Sequence, residues 1–352
     1  MSLLKENLDQ QLITAAQFIK EALQDEPDYF EIESEDEDKE TLVLDKKLKK
    51  LSFKEIPQIP FEGRIAAVDG GSATSLSARS FVMGVYRTGY VIFQNQKRVE
   101  EKINPLVLEI VSYGNMEEKY KNAFFKLARE NPSQTPEMSK ILDRLRLFSE
   151  WSTAVELVEK LNEGDMILID GSLRASIVPP YSFLDRLTQR AVEKKIHLVG
   201  VSKSSTLYWG KKSPLIPMVL KTAEKFGVDK SWYCLLSDVR KEFENPSWFG
   251  VIYVSKLKAA ADFAFRVDIN RLDKAKPELI FSCLSELSAD PAYLGYPYPL
   301  AAIHSQVRIT PSEIEDLKNR LQSKALEQGV SQADWDLLFV DFHNILNADL
   351  NR

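Results

Sequence analysis

Two apolar runs in the sequence end in the same kind of Asp-Gly-Ser segment. The first is Ile65-Ala-Ala-Val-Asp69, followed by Gly70, Gly71 and Ser72, and the second is Met166-Ile-Leu-Ile-Asp170, followed directly by Gly-Ser. Short apolar runs of this kind are typical of strands that are buried on both faces. Asp69 is expected where its strand stops, and the glycines permit a sharp turn or a close approach of another backbone. Any fold for this chain must therefore accommodate two carboxylates at the ends of two buried strands.

Helical and strand-like patterns follow one another in a specific order along the chain. Three strands come in quick succession, two helices follow, a fourth strand ends in Asp170, and helices then alternate with strands. This order predicts an α/β fold with a ribonuclease H-like mixed β-sheet, helices on both faces and an N-terminal helical extension, in which the first and fourth strands are neighbours. The predicted helices cover residues 3–24, 117–129, 137–162, 183–194, 218–226, 278–287 and 311–328, and the predicted strands cover 65–69, 80–93, 104–112, 166–170, 197–202, 250–254 and 261–267.

Asp69 and Asp170 are the first candidates for a functional site, because neighbouring strands would place them at one edge of the sheet. Two carboxylates a few ångströms apart repel each other and raise each other's pKa unless a cation neutralises them. Clusters of carboxylate oxygens suit hard divalent ions such as Mg²⁺ or Mn²⁺, which activate water and stabilise the oxygens of an in-line phosphoryl displacement. The alternative is that each Asp-Gly-Ser segment is only a turn, although its duplication at two strand ends favours the site.

A third acid is expected on the long helix between the two aspartates. Glu156, Glu159 and Glu163 lie mostly away from the apolar stripe of this helix and are expected to face solvent. Glu150 lies at the border of the stripe, with Ala154 one turn further on, so its carboxylate should lie where the helix faces the sheet. Glu150 is therefore predicted as a third metal ligand, with a glutamate at the surface edge as the alternative.

The segment GYPYPLAAIHSQVRI, residues 295–309, supplies the fourth candidate ligand, His304. Its two Tyr-Pro pairs predict an extended, rigid lead-in, which makes Tyr298 a candidate for substrate binding, and His304 is expected after an apolar turn. His197 and His343 are the competing histidines. An imidazole ligand would favour Mn²⁺ over Mg²⁺.

The segment VSKSSTLYWGKKS, residues 201–213, combines basic and aromatic side chains. Lys203 follows the fifth strand at the same sheet edge as the two aspartates. Lysines bind phosphates and aromatic faces stack unpaired bases, so Lys203, Trp209 and Lys211 are candidates for binding a single strand. The alternative is a surface loop whose Trp209 packs into the core.

Composition restricts the class of protein and its surroundings. The chain of 352 residues carries a formal net charge of −6, but residues 25–40 hold ten acids and one lysine, so the rest of the chain is at +3, which permits a polyanionic substrate. The sequence has no apolar run near the roughly 20 residues that span a bilayer. Cys234 and Cys283 are too few for a disulfide framework or a zinc cluster. A cytoplasmic location is expected.

Four segments in order, AVDGGSATS, ILIDGSL, VGVSKSS and GYPYPLAAIHSQVRI, resemble the NurA family of DNA end-processing nucleases, from about residue 64 to residue 309. The resemblance implies a ribonuclease H-like fold, a homodimer, and Mn²⁺-dependent activity as a 5′ to 3′ exonuclease and a single-strand endonuclease. It also implies a role in resecting the ends of DNA double-strand breaks with a hexameric HerA-type ATPase, which moves duplex DNA toward the nuclease.

The resemblance also assigns roles to individual residues. Asp69 and Asp170 match the two aspartate motifs of the family, Glu150 matches its helix acid, and Lys203 matches the basic position after the following strand. His304 falls where family members have a histidine or an aspartate. Gly71 precedes Ser72 where the family pattern has Asp-Gly-Ser directly, so Ser72 receives no role.

Two other functions remain open from the sequence. DGGSATS resembles the first phosphate loop of actin-like and sugar-kinase-like ATP-binding enzymes, although a Gly-Gly adenosine loop late in the chain is missing. A non-enzymatic clamp or loader subunit is the other alternative. For the nuclease hypothesis, residues 1–60 are predicted to form a helix and charged segment that contacts a second subunit or a partner, and residues 61–352 to form the nuclease domain with C-terminal helices.

Overall fold

The computed structural model of the protein describes residues 8–24, 51–78, 80–203, 205, 207–209, 213–237 and 247–339. Most of the strands in this part of the chain belong to one mixed sheet, in the order β1-β10-β11-β12-β7-β6-β2-β3-β4, with β5 paired to the far half of β3. Strands β2, β6 and β7 are parallel and the other pairs are antiparallel. The strands are β1 Phe53–Glu55, β2 Ile65–Ala78, β3 Phe81–Gln94, β4 Lys97–Ile103, β5 Val107–Ser112, β6 Met166–Asp170, β7 His197–Ser202, the small hairpin β8 Tyr208–Trp209 and β9 Ser213–Pro214, β10 Trp232–Ser237, β11 Gly250–Lys256 and β12 Phe265–Asn270.

Helices cover both faces of the sheet. On one face, α2, α3 and α4 bury their apolar sides in a core that includes Trp151, Leu157 and Phe183. On the other face, α6 and α7 pack in a second core around Phe281 and Ile303. The helices are α1 Leu8–Gln24, α2 Met116–Ala128, α3 Met138–Lys160, α4 Tyr181–Glu193, α5 Leu215–Lys225, α6 Pro277–Leu287, α7 Tyr298–Val307, α8 Pro311–Glu327 and α9 Gln332–Phe339.

This architecture confirms the predicted α/β fold and its central adjacency. Strands β2 and β6, the first and fourth of the predicted series, pair in parallel from Ile65 opposite Met166 to Val68 opposite Ile169. Every residue from Ile65 to Val68 and from Met166 to Ile169 is buried, as expected for central strands with helices on both sides.

The prediction that the first strand stops at Asp69 is wrong. Strand β2 continues to Ala78, and Gly70 and Gly71 pair with Thr88 and Arg87 of β3 without a turn. The glycines serve the other predicted purpose, a close approach of backbone: a Cβ atom on Gly71 would lie 2.2 Å from the carbonyl oxygen of Val307.

The predicted third strand, residues 104–112, is confirmed only from Val107 onward, as β5, and the strand before it, β4, was not predicted. A tight turn at Asn95 and Gln96, both with positive φ, starts the hairpin strand β4 at Lys97, and β5 begins separately at Val107. Turns with two residues of positive φ suit two-residue hairpins. The Asn-Gln pair lacks the glycine that usually marks such a turn, which hid it in the sequence.

Three further elements differ from the predictions. The strand predicted over residues 261–267 begins only at Phe265. Strand β10, which pairs with β11, was not predicted from the sequence. His304 lies within helix α7 and does not follow a turn. Pro297 is the N-cap of this helix and Pro299 lies in its first turn, where backbone N–H groups have no partner within the helix, so proline costs no helical hydrogen bond there.

The two N-terminal elements, helix α1 and strand β1, have different surroundings. Helix α1 confirms the predicted helix over the part that is described, and its side chains from Gln10 to Glu21 are exposed, Leu12 and Phe18 among them. Strand β1, in contrast, pairs with β10 at the sheet edge. The acidic run 25–40 lies outside the described residues.

Candidate active site

Asp69 and Asp170 meet at the edge of the sheet where pairing between β2 and β6 ends. The register places Val68 opposite Ile169, so the two aspartates follow side by side, and Asp170 also pairs with Val201 of β7. Asp69 is buried and Asp170 is partly buried. The predicted convergence of the two carboxylates is therefore present in the structure.

His304 completes a group of three potential ligands. One ligand atom each from Asp69, Asp170 and His304 lies within 4.8 Å of the other two. The Nδ1 atom of His304 is 2.7 Å from Oδ2 of Asp69, and the imidazole is half exposed. Helix α7, which packs against β2, carries His304 to this position. Two carboxylates and one imidazole are a donor set that suits a divalent metal ion.

Lys203 lies on the other side of Asp170. Its Nζ atom is 2.6 Å from Oδ2 of Asp170 and 3.5 Å from Nδ1 of His304. Burial raises the pKa of Asp170 above its usual value, Lys203 opposes that shift, and the charge of Asp69 adds to it. The predicted position of Lys203 beside the aspartates is therefore observed, and its ammonium partly neutralises them.

Glu150 faces the same region but is bound to an arginine. It is buried on α3 and lines a cavity of about 410 Å³ together with Asp69 and Asp170. Its Oε2 atom accepts a hydrogen bond of 2.6 Å from Nη1 of Arg146. Burial raises the pKa of Glu150 to about 8; Arg146 opposes this shift, and Asp69 and Asp170 strengthen it. The role of Glu150 as a metal ligand stays a prediction, since Glu150 is not one of the three residues whose ligand atoms converge.

Arg146 is a member of the site that the sequence predictions missed. Its Nη1 atom also donates to the carbonyl oxygen of Gly70, and Asp143 accepts from the rest of the guanidinium. The signal was present, because Arg146 precedes Glu150 by four residues and such pairs share one face of a helix.

Tyr296 is a second missed residue, and Tyr298 occupies a different environment from the carboxylates. The ring of Tyr296 lies under the Nζ atom of Lys203, 5.7 Å from it, and its hydroxyl is buried near Asp170. Burial and the charges of Asp170 and Asp69 raise the pKa of Tyr296. Tyr298, in contrast, packs on Phe93 in a neighbouring cavity.

The remaining sequence candidates lie elsewhere or outside the described part. The other described histidine, His197, pairs with Asp273 at 2.7 Å at the opposite end of β7. Trp209 belongs to the short strand β8, with its side chain outside the described residues, as are Lys211 and His343. The three glutamates expected in solvent are exposed and pair with lysine or arginine: Glu156 with Lys102, Glu159 with Arg190 and Glu163 with Lys195.

One family profile and several solved structures are similar to this chain. The profile of the family described as NurA domain matches residues 63–309. The crystal structure of the NurA nuclease from Sulfolobus solfataricus is similar over 92% of this chain and 95% of its own, at 17% identity and a TM-score of 0.51. No curated protein matches the sequence.

Two endonuclease V structures are more distant. The catalytic domain of the human enzyme covers 88% of this chain and 98% of its own, at 12% identity and a TM-score of 0.37. The Ciona intestinalis enzyme, in complex with an inosine-containing DNA, covers 88% of this chain and 99% of its own, at 12% identity and a TM-score of 0.38.

None of the helices in the described ranges has the length and apolarity that crossing a membrane requires.

Proposed function

The chain belongs to the NurA family, and from that premise we propose that it is a metal-dependent DNA nuclease. The observation that carries the proposal is the convergence of Asp69, Asp170 and His304, whose ligand atoms lie within 4.8 Å of one another. In the proposed activity the enzyme hydrolyses phosphodiesters as a 5′ to 3′ exonuclease and as an endonuclease on single strands. Its role is the resection of DNA double-strand breaks with a HerA-type hexameric ATPase.

The donor set fits a divalent ion, which we propose to be Mn²⁺, with Mg²⁺ as the alternative. Asp69 and Asp170 supply two carboxylates in a partly buried place, and His304 supplies a nitrogen ligand that favours Mn²⁺. Glu150 is a further ligand candidate on the same cavity. When bound there, the ion supplies Lewis-acid stabilisation of phosphate oxygens and an activated water.

The protein's own side chains position the substrate around that group. Lys203 pairs with Asp170, has 39% of its side chain exposed, and in the proposed activity binds the scissile or a neighbouring phosphate. Arg146 donates hydrogen bonds to both Glu150 and the carbonyl oxygen of Gly70, and so links helix α3 to strand β2 beside the site. Tyr298, Trp209 and Lys211 remain proposed substrate contacts.

Helix α1 is the proposed contact with a second subunit or with the ATPase. Its Leu12, Ile13 and Ile19 are each at least 50% exposed, whereas apolar helix faces of this kind are normally covered. We place this contact within residues 1–60 and the nuclease within residues 61–352. The active form is then a homodimer that acts in the cytoplasm.

The deciding experiment is cleavage of end-labelled single- and double-stranded DNA with Mn²⁺ or Mg²⁺, with and without a HerA-type ATPase. Asp69→Asn should reduce cleavage roughly 100-fold or more, because it removes a charge without changing the shape of the side chain. Its unfolding midpoint should stay close to that of the parent. Undiminished cleavage by the variant would remove Asp69 from the mechanism. Tight ATP-Mg²⁺ binding without any cleavage would favour the kinase-like alternative.

A further inference from the structure

A cavity of about 560 Å³ opens directly beside the candidate active site. It shares Lys203, Tyr296 and His304 with that site, so a molecule inside it would be within reach of the carboxylate group. Most of the remaining wall is apolar, and its main contributors are Phe263, Phe265, Tyr293, Leu294 and Ala301. Its volume is in the range of about 300–1,000 Å³ that is typical of small-molecule sites.

Two chain segments form the outer walls of this cavity. One is the connection between β11 and β12, residues 257–264, and the other is the segment 292–296 that leads into α7. The segments meet at Gly295, where φ is +90° and a Cβ atom would lie 2.5 Å from Cβ of Ala261. The cavity is therefore bounded by a close contact that depends on a glycine.

The aromatic side chains around the opening are unusually exposed for their size. Phe263 is 65% exposed and Tyr293 is 44% exposed. Deeper in the wall, the rings of Phe265 and Tyr296 pack at a centroid distance of 5.2 Å. An apolar hollow with exposed aromatic rings at its mouth suits a flat aromatic ligand, which would cover these rings.

Positive charge lies at the side of the cavity nearest the active site. Lys203, which pairs with Asp170, and His304 are positioned there, and the rest of the lining is apolar or aromatic except for Ser305 and the exposed Asp262. A ligand that matches this distribution has an anionic group next to an uncharged aromatic ring. A nucleotide has that pattern, because its phosphate and its base are joined through one sugar.

We propose that this cavity, the base pocket, binds one unpaired nucleobase of the strand whose phosphate lies at Lys203. The proposal rests on the nuclease function proposed above and specifies its substrate. The wall offers few polar groups, so binding should tolerate any of the bases rather than select one. A base that is paired in a duplex is held beside the opposite strand, so it does not enter a pocket that accommodates one base. Frayed ends and single strands are therefore the preferred substrates of this site.

The first test uses 2-aminopurine, a fluorescent base whose emission is quenched by stacking. Single-stranded oligonucleotides carrying one 2-aminopurine at successive positions are bound to the full-length protein in Ca²⁺. Quenching at one position is expected with the parent chain. Phe263→Ala should remove it and Phe263→Tyr should restore it. Phe125→Ala is the matched control, since Phe125 is also exposed, at 48%, and lies on α2 outside the cavity. Equal quenching at every position would contradict the pocket.

The second test replaces the base at the quenched position by an abasic site and measures kcat/KM in Mn²⁺. The loss for the parent should be roughly 5- to 150-fold, the range expected for one stacked base. Phe263→Ala should show the same loss on the normal strand and little further loss on the abasic strand, because both changes remove one contact. Equal cleavage of normal and abasic strands would overturn the base pocket and leave the nuclease intact. Failure to cleave any DNA would instead overturn the proposed function.

Discussion

Lys203 and Asp170 form an ion pair in which the Nζ and Oδ2 atoms are 2.6 Å apart. The same carboxylate belongs to the group that offers ligand atoms to a divalent ion. An ammonium and a metal ion therefore compete for one negative charge, although both are needed in the proposed reaction. We expect Lys203 to turn from Asp170 toward a phosphate when the ion binds, which would link metal binding to substrate binding.

This competition predicts opposite effects of one substitution. Lys203→Met removes the charge and keeps most of the side-chain stem. Its affinity for Mn²⁺ in the absence of DNA should rise roughly two- to fivefold, the scale of a partly exposed ion pair. Its kcat/KM on DNA should fall roughly 100-fold, because a preorganised phosphate contact is lost. Calorimetric Mn²⁺ titration and a cleavage assay measure the two quantities. Weakening of both would mean that Lys203 only supports the fold of the site.

His304 gives a prediction about the choice of metal. Nδ1 of histidine and a carboxylate oxygen of aspartate are both bonded to Cγ, so His304→Asp would place an oxygen near Oδ2 of Asp69, where Nδ1 now lies at 2.7 Å. Without an ion the two like charges repel, and a third oxygen ligand favours Mg²⁺. The variant should be less stable without metal and show a larger rise in Tm on adding Mg²⁺ than the parent. His304→Ala, the control, should show a smaller rise with either ion, and equal shifts in all three proteins would contradict the ligand assignment.

The parts of the fold that sequence patterns predicted are those in which local chemistry and tertiary position agree. Strands β6 and β7 have the predicted bounds, because continuous apolar runs between polar ends leave one consistent location in the core. The adjacency of Asp69 and Asp170 followed from the order of the elements rather than from either segment alone. Continuous apolar runs predict strands reliably, because burial of the whole run determines where the strand lies.

The parts that were not predicted depend on contacts between distant segments. Nothing near Gly71 in the sequence indicates that it contacts the end of α7, which lies more than 200 residues away, so the sequence could not decide between a turn and a close approach of another backbone. Tyr296 and Tyr298 have the same local motif, and only the start of α7 at Tyr298 separates them. Tyr296 precedes the helix and lies under Lys203, whereas Tyr298 packs on Phe93.

Glu150 predicts a specific dependence of stability on pH in the metal-free protein. Its folded pKa of about 8 is higher than its ordinary value of 4.5, so the folded chain keeps a proton that the unfolded chain has lost between these values. The free energy of unfolding should therefore decrease as pH rises from about 4.5 to about 8, by up to on the order of 1.4 kcal/mol per pH unit.

Glu150→Gln isolates this contribution, because glutamine has the same shape and no proton to lose. The variant and the parent should have similar stability near pH 4.5, and the variant should be the more stable by a widening margin up to pH 8. Urea unfolding at a series of pH values, with a chelator present, measures the difference. Parallel pH profiles for the two proteins would show that Glu150 is ionised throughout this range.

Gly71 predicts that one methyl group can displace the histidine of the site. A Cβ atom there would lie 2.2 Å from the carbonyl oxygen of Val307, and Arg87 donates to that same oxygen, which limits its movement. Gly71→Ala should therefore lose roughly 1–3 kcal/mol of stability, as overpacked sites do, and should bind Mn²⁺ more weakly because α7 carries His304. Gly114→Ala is the matched control, since its nearest neighbour, Oγ of Ser112, would be 3.8 Å away. If the two alanine variants are equally stable and bind Mn²⁺ equally well, the contact between β2 and α7 does not position His304.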